Sequence, residues 1–230
     1  MTEDLTRGFD GFITREGELV SIEDADNMFS ILVRSTENTQ EIVQQLREFA
    51  EECRDKGLFR AAYAYLEKSL SLLNGPVDKA GCLLAMGQTL EGAGDYQAAL
   101  ITYARAFELP QEPKDIWYFL NNNLAFCLNK SGCHVEAEKH CRAAIKINPE
   151  RHNAHKNLGI ALQGLGRYAD AARCYMRAAQ LAPTDPRAMK HLEDLLAAHG
   201  EILEESAGLR EEVSKFFEAA GAEDDYPNLQ

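Results

Sequence analysis

Apolar positions along this chain recur at helical spacing. Between Ala154 and Pro183 they form two stripes. Leu158, Ala161, Leu162 and Leu165 share one face of a first segment, and Tyr168, Ala171, Ala172, Tyr175, Ala178 and Ala179 share one face of a second. Gly166 breaks the pattern between them and Pro183 follows its end. Large residues alternate with small ones, as close helix packing requires, and Gly159 removes a side chain where a neighbouring helix can approach. One such hairpin cannot bury both of its faces, so it needs copies of itself.

The chain supplies them. In the stretch from Asn121 to Pro149, Leu124-Ala125 answers Leu158-Gly159, Gly132 answers Gly166, Ala137 answers Ala171, Ala144 answers Ala178 and Pro149 answers Pro183, each pair 34 residues apart. Lys79 to Leu109 repeats the pattern with Met86-Gly87, Leu90, Gly94, Tyr96, Ala99, Tyr103 and Ala106, and Asp95 is placed to cap its second helix. A looser copy runs from Thr39, read as the cap of a helix from about Gln40 to Lys56, through Phe49-Ala50, Gly57 and Ala62 to about Leu73. The spacing from Ala99 to Ala137 is 38, so four extra residues around Pro110–Pro113 extend a loop or the start of the next helix.

A period of 34 with this helix–turn–helix pattern resembles the tetratricopeptide-repeat (TPR) family. The resemblance implies an all-α, right-handed α-α superhelix of about four repeats, at residues 39–76, 78–112, 115–150 and 151–184. Before the array lies an arm, residues 1–38. Within it Gly11–Val20 suits a small hairpin around Arg15-Glu16-Gly17, and Ser21 with Asp24 opens a helix over 22–34. After the array come capping helices over 185–219, the last running from about Glu201 to Ala219, and an acidic tail, 220–230.

Composition changes the picture in one respect. The net charge is −13, but residues 1–37 hold nine acidic and three basic residues and residues 201–230 nine and two. Residues 118–200 hold eleven basic against seven acidic residues, and all six histidines follow residue 133. The acidic total argues against nucleic acid as a partner, and the local excess of base favours an acidic peptide on the later repeats. With no apolar run near 18 residues and an acidic start, the chain reads as cytoplasmic, with no membrane partner. Its six cysteines lack CxxC spacing and read as small apolar residues.

Candidate chemistry is sparse. The sequence has no Gly-rich phosphate loop, HExxH or GxSxG. Cys133-His134 and His140-Cys141 form a metal-like cluster, but His134 and His140 are six residues apart and face different ways on a helix. The reading is therefore of a protein without catalysis or cofactor, with a Cys/His metal protein or an enzyme as a remote alternative.

In the TPR family the first helix of each hairpin lines a concave groove, and the residue before the Leu-Gly pair faces into it. By that resemblance the groove positions are Glu48, Ala85, Asn123 and Asn157. Phe119, Asn122, Phe126 and Asn129 lie around Asn123, and Asn153, Lys156, Ile160 and Gln163 around Asn157. Arg187, Lys190 and His191 extend the row. An asparagine offers donor and acceptor together, matching an extended peptide backbone. Asn123 and Asn157 are read as backbone contacts, Phe126 and Ile160 as an apolar floor, and Lys156 and Lys190 as partners for acid, with Asn122, Asn129, Asn153, Arg187 and His191 completing the peptide-binding set. Chaperone-binding members of the family clamp a C-terminal carboxylate. Here Arg47, Glu51, Phe126 and His191 depart from that set. The expected function is a scaffold that binds an extended acidic or C-terminal peptide segment. The alternative is self-association, with the acidic tail in the groove of its own chain or, in a homo-oligomer, of a neighbouring one.

Overall fold

A computed structural model describes residues 22–110, 114–206 and 208–220. The hairpin read around Arg15-Glu16-Gly17 and the segment after Ala220 lie outside the described residues. Every regular element among the described residues is a helix, so the all-α reading of the fold holds. In order they are α1 (Ile22–Ser35), α2 (Thr39–Asp55), α3 (Phe59–Leu72), α4 (Pro76–Gly92), α5 (Tyr96–Ala106), α6 (Lys114–Lys130), α7 (His134–Ile147), α8 (His152–Gly164), α9 (Tyr168–Leu181), α10 (Pro186–Ala198), α11 (Ile202–Glu205) and α12 (Leu209–Ala220). The chain divides into two compact units, residues 1–127 and 128–230, and α6 runs through the division.

The hairpins share one turn. Gly57, Gly94, Gly132 and Gly166 take φ between 74° and 79°, the left-handed region that a Cβ disfavours. This lets the amide after the glycine reach back into the finished helix. Leu58 donates to the Cys53 carbonyl, Asp95 to Leu90, Cys133 to Leu128 and Arg167 to Leu162, at 2.8–2.9 Å. Carbonyls that the helix end would leave open are satisfied in this way.

In the first unit α2 packs on α3 and α4 on α5, and α1 lies against α3 and α2. Leu46, Ala62, Met86, Ala99 and Tyr103 are fully buried there. In the second unit α8 packs on α9, with α7 and α10 beside them. Its core includes Leu162, Tyr175, Leu192, Leu195 and Val213. Burying a side chain of this size stabilises the fold by about 1.5–3 kcal/mol each.

Three local readings are corrected or resolved. Asn38, not Thr39, caps α2, because its side-chain oxygen accepts from the amides of Gln40 and Glu41 while Thr39 is already helical. The last helix is not continuous from Glu201. Helix α11 stops at Ser206, whose backbone is extended, and α12 begins at Leu209. At the 38-residue spacing, α6 has 17 residues against 13 in α8, so an added turn appears at the start of the helix. That turn carries Trp117, which is buried edge-on against Phe107 at 5.1 Å.

Candidate peptide-binding surfaces

In the first unit the first helices of successive hairpins enclose a cavity of about 420 Å³. Arg47, Glu51 and Arg54 reach it from α2, Leu84, Ala85 and Gln88 from α4, and Ile116 and Phe119 from α6. The floor is apolar and the walls carry mixed charge, with Arg54 3.9 Å from Glu51. Ala85 and Phe119 were read as groove positions and Arg47 and Glu51 as clamp positions, while Glu48, the groove position read on α2, is not among the lining residues. Arg54, Gln88 and Ile116 were not named, although the same helical spacing reaches them: Gln88 is one turn past Ala85 and Arg54 two turns past Arg47.

Two hairpins share a pair built on a buried tyrosine. The Tyr103 hydroxyl donates to Glu91 Oε1 at 2.6 Å, and the Tyr175 hydroxyl donates to Gln163 Oε1 at 2.8 Å. In each hairpin the ring passes over a glycine. A Cβ on Gly87 would lie 2.1 Å from Tyr103 Cε1, and one on Gly159 would lie 2.4 Å from Tyr175 Cε1. Where the tyrosine position holds Leu66 or Cys141, the glycine position holds Ala50 or Ala125. Glu91 also accepts from the Cys127 thiol at 3.6 Å. Burial outweighs these donors and pushes the Glu91 carboxyl up to about 7.

The asparagines of α6 divide by role. Asn121 is buried and donates to the Trp117 carbonyl of its own helix at 2.8 Å, so the fold accounts for it. Asn122 is buried and donates to Asn123 Oδ1 at 3.0 Å, while Asn123 Nδ2 faces the Tyr103 hydroxyl at 3.5 Å. Phe126 is half-buried and meets the edge of Tyr96 at 5.8 Å. Asn122 and Asn123 are thus brought to the Tyr103–Glu91 pair, and Phe126 to Tyr96.

In the second unit Asn129 uses both ends of its amide inside the fold. Its Nδ2 donates to the Asn157 carbonyl at 2.9 Å, and its Oδ1 lies 3.2 Å from His134 Nδ1. It ties the end of α6 to α8 and to the start of α7. Asn157 itself is buried at 3% exposure, and Ile160 is half-buried.

Lys156 is the unusual residue. It is 9% exposed, and among the described residues its ammonium makes one hydrogen bond, to Asn153 Oδ1 at 3.4 Å. Burial and then the Arg187 charge hold its pKa below the ordinary lysine value. Arg187 grips Asp185 through three contacts of 2.7–3.1 Å, and this pairing holds the Asp185 carboxyl well below the usual range. His191 stacks on Tyr175 with centroids 5.2 Å apart, and burial followed by the Lys156 charge lowers its pKa. Lys190 is exposed and pairs with no carboxylate among the described residues. It stands 34 residues after Lys156, at the matching place on α10. Lys156, Arg187 and His191 are thus brought together, with Asn153 beside Lys156.

The Cys/His cluster disperses. Cys141 is fully buried and Cys133 exposed, and the His134 ring packs over Gly164, where a Cβ would meet it at 2.3 Å. No group of three or more His, Cys, Asp or Glu among the described residues is arranged to hold a metal ion. No helix among them is long and apolar enough to cross a membrane.

Residues 119–184 match the family model for the tetratricopeptide repeat. The chain is 35% identical over 129 residues to the small glutamine-rich tetratricopeptide repeat-containing protein 2 of Mycosarcoma maydis, covering 56% of this chain and 34% of that protein. It is 27% identical over 113 residues to the photosystem I assembly protein Ycf3 of Synechococcus elongatus, covering 43% of this chain and 65% of the relative. It therefore spans about a third of the first of these curated relatives and less than two thirds of the second. Among solved structures, MamA from Desulfovibrio magneticus RS-1 superposes with a TM-score of 0.60 at 20% identity, covering 80% of this chain and 97% of that one, which is a likeness of fold. Residues 119–184 are tetratricopeptide repeats by this match, and the hairpins α2–α3 and α4–α5 repeat the same glycine turn and helix pairing.

Proposed function

We propose that this protein is a non-catalytic interaction scaffold, and that the first-helix surface of residues 128–230 holds an extended acidic peptide. The observation that carries this reading is the Lys156 ammonium. It is buried, and its only hydrogen bond among the described residues is a long one to a neutral amide. A buried cation with no carboxylate bonded to it, the nearby Asp185 being held by Arg187, is costly, and a ligand carboxylate would relieve that cost. Lys156 and Lys190 are the charge contacts, Asn153 and Asn157 the backbone contacts, and Ile160 the apolar contact. In the first unit Asn123 and Phe126 offer the same pair of chemistries. Each neutral hydrogen bond contributes about 0.5–1.5 kcal/mol net, so several are needed alongside the charge pair.

The test is titration of a labelled, unrelated acidic octapeptide into wild type and into K156A/K190A, at low and high salt. At low salt the double variant is expected to bind at least about tenfold more weakly, and high salt should narrow the gap. Equal affinity at low salt would remove Lys156 and Lys190 from the site. A parallel N153A/N157A variant tests the backbone contacts, and an affinity equal to wild type would remove both asparagines from the site.

A further inference from the structure

The His191 imidazole is set into the cationic surface of the second unit. It is half-buried, and its ring stacks on Tyr175 at 15° with centroids 5.2 Å apart. The ring makes no hydrogen bond among the described residues. Tyr175 in turn is fixed on α8, because its hydroxyl donates to Gln163 Oε1 at 2.8 Å and its ring covers Gly159. Gln163, Ile160 and Lys156 lie at successive turns on one face of that helix. The stack therefore carries His191 from α10 to the side of α8 that holds the proposed apolar and charge contacts.

Of the charges that face this ring, Lys156 on α8 acts most strongly, followed by Asp194 on the ring's own helix, Lys130 on α6 and Arg187 on α10. Three of these are cations, and the acid, Asp194, is exposed. Asp185 is clasped by Arg187. The Tyr175 phenol on α9 adds no charge, since burial raises its pKa and keeps it protonated. A proton on His191 thus loses water and meets repulsion from two other helices. An acidic segment laid on Lys156 and Lys190 reverses the sign of that field and gives the imidazolium an acceptor.

Resting on the peptide-binding reading above, we infer that His191 is a further charged contact of this surface and takes up its proton together with an acidic ligand. Linkage makes the effect reciprocal: a ligand that favours the charged ring is itself held more tightly by it. In the complex the ring titrates at higher pH than it does alone. Affinity therefore rises as pH falls through the bound midpoint, and it levels off below the unbound one. A rise of about one pH unit in the midpoint corresponds to about tenfold in affinity. The surface then holds acidic partners most firmly under mildly acidic conditions, where their carboxylates are still ionised.

The experiment uses the full chain and an unrelated acidic octapeptide blocked at both ends. Nuclear magnetic resonance follows the His191 imidazole through a pH titration, with and without saturating peptide at low salt. Peptide affinity is measured at about pH 5.5 and about pH 8 in wild type and in His191→Phe, which keeps a ring against Tyr175 but cannot titrate. The His191 midpoint is expected to rise by about one pH unit in the complex, and wild type to bind about tenfold more tightly at the lower pH. His191→Phe should lose most of that preference. A midpoint that stayed in place with peptide bound would overturn the proton uptake and leave the peptide surface standing, which K156A/K190A tests separately. A preference for low pH undiminished in His191→Phe would remove His191 as its source. If that variant failed to fold, the wild-type titration would decide alone. Absence of binding at both pH values would end the peptide reading and the proton uptake with it.

Discussion

The Tyr175 ring lies against the bare backbone of Gly159, close enough that a Cβ would sit 2.4 Å from Cε1. Tyr175 is fully buried, so its ring has no room to withdraw. Gly159→Ala is therefore expected to destabilise the protein by about 1–3 kcal/mol, despite the gain in helix propensity of about 1 kcal/mol. Gly166→Ala should cost about 1–2 kcal/mol for another reason: nothing lies within 4 Å, but its φ of +74° is left-handed. Urea denaturation of both variants, with Tyr175→Leu added to each, separates the causes. The leucine should recover stability only in the Gly159→Ala background, since that double change reproduces the alanine–leucine combination that Ala50 and Leu66 already use.

Glu91 gives the first unit a pH dependence. Burial raises its carboxyl to about 7 from an ordinary 4.5, so between those values the folded protein keeps a proton that the unfolded chain releases. Stability from this group is full below the ordinary value and falls as pH rises through about 7, by on the order of 1–3 kcal/mol. Glu91→Gln, which installs the amide found at Gln163, should remove that slope. Chemical denaturation at pH 5 and pH 8 is the check, and an unchanged slope in the variant would exclude Glu91 as its source.

Asn129→Ala should destabilise the second unit by about 1–3 kcal/mol, because it leaves the Asn157 carbonyl and His134 without their shared partner. Asn153→Ala takes away the one hydrogen bond that the buried Lys156 ammonium makes among the described residues, a long one at 3.4 Å, and should cost about 1 kcal/mol. Hydrogen exchange of the α8 amides should show the first change more strongly than the second.

His191 reports on Lys156. Its pKa is lowered by burial and then by the lysine charge, so Lys156→Met should move its titration upward while the stack on Tyr175 remains. A titration that stayed in place would mean that burial alone sets it.

Much of the fold was legible in one dimension because its determinants are local. Gly57, Gly94, Gly132 and Gly166 break helices by their own backbone freedom. The glycine–tyrosine pairs lie 16 residues apart at a fixed register, so a period reveals them. The site was only half legible. Lys156 and Lys190 were read alike as partners for acid, and Asn122, Asn123 and Asn129 looked equivalent to the other groove asparagines. The partner of Asn129 is a carbonyl 28 residues away on α8, which no spacing rule singles out.

The sequence by itself determined the repeat, the turn positions and the helical class, because steric preference and 34-residue periodicity act along the chain. Only the tertiary structure decided which polar side chains hold the helices together and how deeply each is buried. That depends on neighbours from other helices. The same long amphipathic side chain is an ordinary solvated charge at Lys190 and, at 9% exposure, a buried cation at Lys156.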